Sequence, residues 1–304
     1  MPAGKMHAEE VDTSVSLVRR LLAAQYPEWA DLPVAPVPSA GTDNALYRLG
    51  EDKVVRLPRI QWATGQVEKE HDWLPRLAPS LPLAIPIPLA KGKPGEGYPW
   101  HWSVYRWLEG ENATLERLAD LRQAALDLAQ FIAALQRIDP AVGPPPGPDN
   151  SFRGEPLARR DARTREAIAS LQGVIDAGAV TAAWEAALEA PAWSGPPVWI
   201  HGDLQSGNLL AVQGQLSAVI DFGCLGVGDP AYDVMAAWLY LPAETREIFR
   251  AALEVDGATW ARGRGLALSV GLIALPYYQT TNPVLAGIAR RAIDEALGDY
   301  FVNG

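Results

Sequence analysis

The stretch Trp199-Ile-His-Gly-Asp-Leu-Gln-Ser-Gly-Asn-Leu-Leu210, followed by Ala218-Val-Ile-Asp-Phe-Gly223, decides how the rest of the chain is read. Asp203 and Asn208 lie five residues apart in a turn-forming segment. Asp221 follows Asn208 by 13 residues, at the end of an apolar run, Leu216–Ile220, that reads as a strand. Leu209–Val212 and the turn Gln213-Gly-Gln215 lead into that run like the first arm of a hairpin. Phosphoryl transfer needs one carboxylate to orient a hydroxyl and accept its proton. It also needs a second carboxylate and an amide oxygen to hold magnesium on the nucleotide phosphates. This segment offers all three groups.

A lone Asp-Phe-Gly, or a lone His-Gly-Asp, is most often a turn beside a strand. The two together, in this order and joined by a hairpin, are hard to obtain by chance. The order is that of the catalytic and metal-binding loops of protein kinases. The opening His-Gly-Asp, in place of His-Arg-Asp, resembles the aminoglycoside phosphotransferase family of antibiotic and small-molecule kinases. That resemblance implies an α+β, bilobal protein kinase-like fold. Residues 1–108 would form a small β-rich nucleotide-binding lobe, and residues 109–304 a larger, mostly helical lobe for catalysis and acceptor binding. It further implies Asp203 as the catalytic residue, Asn208 and Asp221 as ligands of Mg2+, and ATP or GTP as phosphoryl donor. His201 would pack behind the loop, and Asp233 would brace it.

Composition agrees with a soluble enzyme of one large domain or two lobes. The chain has 304 residues, of which 48% are hydrophobic and 20% charged, ample for a packed core. No apolar run approaches the roughly 18–20 residues that span a bilayer. The first ten residues lack an apolar h-region, so no secretory signal is expected. A single cysteine, Cys224, excludes an internal disulfide framework and points to the cytoplasm; a small buried side chain is its expected role. The net charge of −10 speaks against nucleic acid as a partner and favours cationic ligands. No membrane and no obligate protein partner is inferred.

Hydrophobic periodicity orders the chain. Val11–Tyr26 reads as a helix, Asn44–Leu49 and Lys53–Leu57 as paired strands, and about Thr64 to Leu77 as a second helix. Leu83–Leu89, interrupted by prolines, suits an edge strand, and Tyr98–Trp107 a stronger one. From Leu118 to Ile138 the apolar period changes from 2 to 3.6, the stripe of a long amphipathic helix. Gly143–Pro148 is a loop, helical stretches follow near Pro156–Leu171 and Val180–Leu188, and beyond Asp229 the chain reads as mostly helical.

In the nucleotide half, Ser39-Ala-Gly-Thr-Asp-Asn44 can place backbone N–H groups over phosphates, Gly41 allowing close approach. The full Gly-x-Gly-x-x-Gly is absent. Val54-Val-Arg56 carries arginine where kinases usually have lysine. Arginine still grips phosphate bidentately, and Glu70, 14 residues on, is the expected ion-pair partner, with Glu68 on the other side of the helical wheel. Arg59 competes with Arg56 for the phosphate role. Val104-Tyr-Arg-Trp-Leu-Glu-Gly110 resembles the family's hinge, where the backbone of about Arg106 and Leu108 would meet the base. Asp229 reads as a helix N-cap.

Acceptor candidates are Trp238, Tyr277, Tyr278 and Gln279, the last three within a polar-aromatic loop, Pro276–Pro283. Residues 271–292 hold no carboxylate, which counts against a polycationic aminoglycoside and leaves macrolides, peptide antibiotics or a metabolic alcohol such as a sugar or amino alcohol. A protein kinase is disfavoured, because no Ala-Pro-Glu element or long activation segment follows Asp221. A catalytically weak, pseudokinase-like nucleotide binder is the remaining reading. Arg56 in place of lysine supports it, and the intact Asp203, Asn208 and Asp221 oppose it.

Overall fold

The computed structural model describes residues 10–38, 41 and 43–303. They form two compact units. One takes the described residues up to Pro79, Ala84–Gly110 and Ala218–Gly223; the other takes Ser80–Leu83, Glu111–Ser217 and the chain from Cys224 onward.

In the first unit, helix α1 (Val15–Gln25) begins at Val15, later than the sequence suggests, because Ser14 accepts the N–H of Leu17 and caps it. Strands β1 (Val34–Pro36), β2 (Asn44–Leu49) and β3 (Lys53–Pro58) follow, then helix α2 (Gly65–Leu77), β4 (Pro88–Gly92) and β5 (Trp102–Arg106). They build a five-stranded antiparallel sheet in the order β1-β2-β3-β5-β4. The edge strand starts at Pro88, and Leu83–Leu89 as a whole does not form one. Pro82 and Pro86 have no N–H for a ladder, and regular pairing begins only at Pro88, the first residue of the strand. Leu17, Val18, Leu21 and Leu22 of α1 are buried against Leu49, Val55, Leu57, Trp102 and Val104 of the sheet. Arg56 lies on β3, and α2 buries Val67, Lys69, Glu70, Leu74 and Leu77.

The second unit opens with β6 (Glu111–Asn112). Asp120 then caps helix α3 (Leu121–Gln136), accepting the N–H groups of Arg122 and Gln123. Helices α4 (Asp161–Ser170) and α5 (Ala177–Glu189) precede β7 (Val198–Ile200), β8 (Leu209–Val212), β9 (Gln215–Val219) and β10 (Gly226–Gly228). β6, β8 and β9 form one small sheet; β7 and β10 form another. Helices α6 (Ala231–Val234), α7 (Ala236–Leu239), α8 (Ala243–Ala252), α9 (Gly257–Tyr278) and α10 (Pro283–Asn303) complete the chain. α9 packs on α4, α5, α6 and α10, and α3 packs on α8. No helix among the described residues is long and apolar enough to cross a membrane.

The β8–β9 turn explains the hairpin. Gln213 (φ 51°) and Gly214 (φ 81°) are both left-handed, the two-residue geometry whose twist matches that of the strands it joins. The last residues of β9 sit in the first unit, where the N–H of Val219 donates to the Ala84 carbonyl at 2.9 Å. Asp221 is thereby delivered to the unit that carries Arg56.

Candidate active site

Within the first unit, four side chains converge on the Arg56 guanidinium. Nη1 donates to Glu70 Oε1 at 2.7 Å, and Nη2 donates to Gln66 Oε1 at 2.8 Å and to Asp221 Oδ1 at 2.9 Å. With its amide turned so that oxygen faces the cation, Asn44 accepts from Arg56 Nη2 at 2.9 Å. Glu70 is fully buried, and its second oxygen accepts from the Tyr105 hydroxyl. Burial works against the Arg56 charge, but the carboxylates of Glu70 and then Asp221 outweigh it, and the pKa is raised. The guanidinium is a fixed cation under all working conditions.

The neighbours of this cluster hold its parts in place. Lys69 is buried on α2 and donates to the Gly223 carbonyl, just past Asp221. Asp221 has φ 61°, a left-handed conformation that Asp tolerates better than most residues. Glu68 faces away and pairs with His101. Arg59 is engaged by the buried carboxylate of Glu10, so the two candidate cations have different partners.

At the hinge sequence, the N–H of Arg106 donates to the Ile87 carbonyl at 2.9 Å and that of Trp107 to Asp52 at 2.7 Å. The sheet therefore claims the Arg106 N–H, and the Arg106 carbonyl and the Leu108 N–H are the hinge backbone groups left to consider. Gly41 is exposed. Ser39, Ala40 and Thr42 of the same expected phosphate loop lie outside the described residues.

Within the second unit, the catalytic segment runs from β7 into β8. Asp233 is fully buried on α6 and accepts two backbone N–H groups, from His201 at 2.9 Å and Gly202 at 2.7 Å. His201 is also fully buried, and its Nδ1 accepts the Asp203 N–H at 3.2 Å. Asn208 reaches back through Nδ2 to the Asp203 carbonyl at 2.8 Å and to Asp203 Oδ2 at 2.9 Å. Its amide is thus oriented with Oδ1 pointing away from Asp203. Gly202 has φ 79°, and a Cβ there would lie 3.0 Å from Arg153 Cγ and 3.1 Å from the Cys224 carbonyl oxygen. Conformation and space both demand glycine, which accounts for His-Gly-Asp at this position.

Four readings change. Asp229 accepts the Ala231 N–H at 2.9 Å as a cap would, but it is buried in a two-point ion pair with Arg262, at 2.8 and 3.1 Å. Trp238 is fully buried, its ring 4.6 Å from that of Trp260, so it belongs to the core and does not line an open site. The polar-aromatic loop is shorter than expected. Pro276, Tyr277 and Tyr278 belong to the last turn of α9, which also buries Leu272 and Leu275, and only residues 279–282 connect to α10. Tyr277 and Gln279 are exposed there, and Tyr277 meets Tyr278 edge to face. Cys224 is part-exposed, in contrast to the buried side chain expected.

Sequence reasoning missed Gln66 and Tyr105 as partners of the Arg56 cluster, and it missed Arg153 beside Asp203. Gln66 lies one turn before Glu70 on α2, and that spacing was a usable signal. Arg153 sits in a turn and carries none.

A family model described as the phosphotransferase enzyme family matches residues 34–266. Among solved structures, the chain is similar to the GDP complex of wild-type aminoglycoside 2'-phosphotransferase-IIIa. Identity is 19%, coverage is 95% of this chain and 100% of that one, and the TM-score is 0.75. It is similar to the GDP and kanamycin complex of an aminoglycoside phosphotransferase at 20% identity, with 94% and 99% covered and a TM-score of 0.72. The apoenzyme of macrolide 2'-phosphotransferase MphH from Brachybacterium faecium gives 21%, 92% and 97%, and 0.61. At this identity the likeness establishes the kinase-like fold. Comparison with curated proteins gives no match.

Proposed function

We propose that this chain, which belongs to the phosphotransferase enzyme family, moves the terminal phosphoryl group of ATP or GTP to a hydroxyl of a small molecule. The observation that carries this reading is the catalytic loop. Asp233 anchors its backbone through two N–H groups while Asn208 clamps the Asp203 carboxylate. A carboxylate fixed in this way suits a group that aligns the acceptor hydroxyl. As the acceptor oxygen bonds to phosphorus and the bond to the departing diphosphate breaks, Asp203 takes the hydroxyl proton. Such general-base help is worth about 10²–10⁴-fold in rate.

Arg56, steadied by Glu70, takes the oxygens of the nucleotide phosphates. Asn208 and Asp221 would hold magnesium, which would neutralise charge on those phosphates; their oxygen donors suit a hard cation. Asp221 commits one oxygen to Arg56, and its side chain stays 45% exposed; Asn208 has its Oδ1 to offer. The Arg106 carbonyl and the Leu108 N–H can meet the donor and acceptor edge of a purine. The setting we expect is the cytoplasm, where the nucleotide is at hand.

For the acceptor, antibiotics stand first, since the similar structures are named as aminoglycoside and macrolide phosphotransferases; a metabolic alcohol is the alternative. Nucleotide consumption over a panel of hydroxylated antibiotics and metabolic alcohols tests the reading, with Asp203→Ala as the control. If no acceptor raises consumption above the control, the proposal is wrong.

A further inference from the structure

A part-buried cationic cluster next to Asp203 is unused by the mechanism above. Ser151 (φ 53°), Phe152 (φ 57°) and Gly154 (φ 96°) give one turn three left-handed residues, a strained local conformation of the kind found at functional sites. The turn delivers Arg153 onto the catalytic loop, its Cγ against Gly202. The Arg153 guanidinium lies 6.0 Å from the Tyr232 ring centroid, and the charges of Cys224 and Asp203 hold its pKa up against burial. Its Nε is sealed from solvent without a hydrogen-bond partner.

Arg160 joins it from the short helical turn Leu157–Arg160 before α4. Its Nε donates to Ser269 Oγ at 2.9 Å, and it interacts electrostatically with Tyr232. Burial, then the neighbouring Arg153 charge, pushes the Arg160 pKa down to about 10. Other arginines of this unit that are buried or part-buried have carboxylate partners: Arg262 has Asp229 at 2.8 Å, Arg264 has Asp299 at 3.1 Å and Arg246 has Glu295. Among the described residues, neither Arg153 nor Arg160 has a carboxylate within the 4.0 Å of an ion pair. Asp203 and Glu155 are the carboxylates whose charge reaches this cluster.

Two like charges held together in a partly buried place are costly unless an anion completes them. Guanidinium forks match the oxygens of carboxylate and phosphate. Both arginines keep part of their surface accessible. We propose that Arg153 and Arg160 form an oxyanion subsite beside Asp203. It would take a carboxylate or phosphate group carried by the acceptor, or the phosphoryl group in transfer. Its catalytic meaning rests on the phosphotransferase reading; its existence as an anion site does not.

The test is calorimetric titration of inorganic phosphate into the full chain, with the nucleotide half saturated by magnesium–ADP. The expected result is one site whose Kd rises at least ten-fold in Arg153→Gln and in Arg160→Gln, and less in Arg153→Lys. Thermal unfolding identifies any variant that fails to fold, in which case the other position decides. Absence of phosphate binding by the wild-type chain overturns the proposal. So does an adventitious ion only, seen as binding that neither glutamine variant weakens. Kinetics with pairs of acceptor alcohols differing by one carboxylate then separate the two sources. A group on the acceptor shows as a raised KM for the anionic member alone, with kcat kept; the phosphoryl in transfer shows as a lowered kcat for both. A chain that binds phosphate here yet consumes no nucleotide with any acceptor would refute phosphoryl transfer and leave the subsite standing.

Discussion

Replacing Asp233 with alanine removes the acceptor of two backbone hydrogen bonds at 2.9 and 2.7 Å, from His201 and Gly202. The site is fully buried, so water cannot replace the carboxylate without opening the loop. Each orphaned N–H costs about 1–3 kcal/mol, or about 2–6 kcal/mol for the pair. Part of this is offset, because burial already disfavours the ionised carboxylate and raises its pKa. The expected net loss is about 2–4 kcal/mol out of a total on the order of 5–15 kcal/mol. At about 2–4 °C per kcal/mol, Tm falls by about 5–15 °C. Asp203 loses its anchored backbone, so kcat should drop far more than the KM for nucleotide rises. Asp233→Asn retains one acceptor and should lose roughly half as much stability. The pH dependence has a definite sign. A raised carboxylate pKa in the folded state contributes stability that is present below the unfolded value of 3.8 and lost as pH rises through the folded value. Asp233→Asn removes that contribution. Thermal unfolding across this window and steady-state kinetics at neutral pH are the assays. An Asp233→Ala variant that melts within a degree of wild type and retains its kcat would refute the bracing role.

Asp203→Ala should lower kcat by about 10²–10⁴-fold with nucleotide affinity nearly unchanged, since Asn208 keeps its 2.8 Å bond to the residue 203 carbonyl; activity within a few-fold of wild type would remove Asp203 from catalysis. Arg56→Ala should weaken magnesium–nucleotide binding, Glu70→Ala should do so more mildly, and the double variant should fall short of additive because both break one pair; fluorescence titration of nucleotide reads this, and full additivity would mean the pair is not a unit. Arg262→Ala leaves Asp229 buried without its cation and should cost about 3–5 kcal/mol by denaturant unfolding, whereas a loss under about 1 kcal/mol would mark the pair as solvent-screened.

Much of the site was legible because its signals are local. The hairpin that carries Asp221 is written in two apolar runs and a Gln-Gly turn, and the i to i+5 step from Asp203 to Asn208 lies within one loop. Glu70 could be chosen over Glu68 because helical periodicity places them on opposite faces, and the structure buries Glu70 while leaving Glu68 with His101. Errors came where tertiary packing outweighed local preference. Pro276–Pro283 read as a loop, yet α9, with Leu272 and Leu275 buried and packed on neighbouring helices, runs through to Tyr278. Trp238 read as a ligand-facing aromatic and is core, because Trp260 and Gly263 close over it.

The sequence by itself determined the chemistry on offer: two carboxylates, an amide and a cation, in an order that implies phosphoryl transfer. Those identities survive translation into structure because each group is positioned mainly by the loop or strand that bears it. Only the tertiary structure decided how the charges pair. Asp229 with Arg262 spans 33 residues and Arg56 with Asp221 spans 165, and no local rule reaches that far. Only the tertiary structure, too, separates Arg59, neutralised by Glu10, from Arg153 and Arg160, part-buried with no carboxylate at ion-pair distance among the described residues. A charge has the same letter whether it is solvated, paired or waiting for an anion, and burial distinguishes the three.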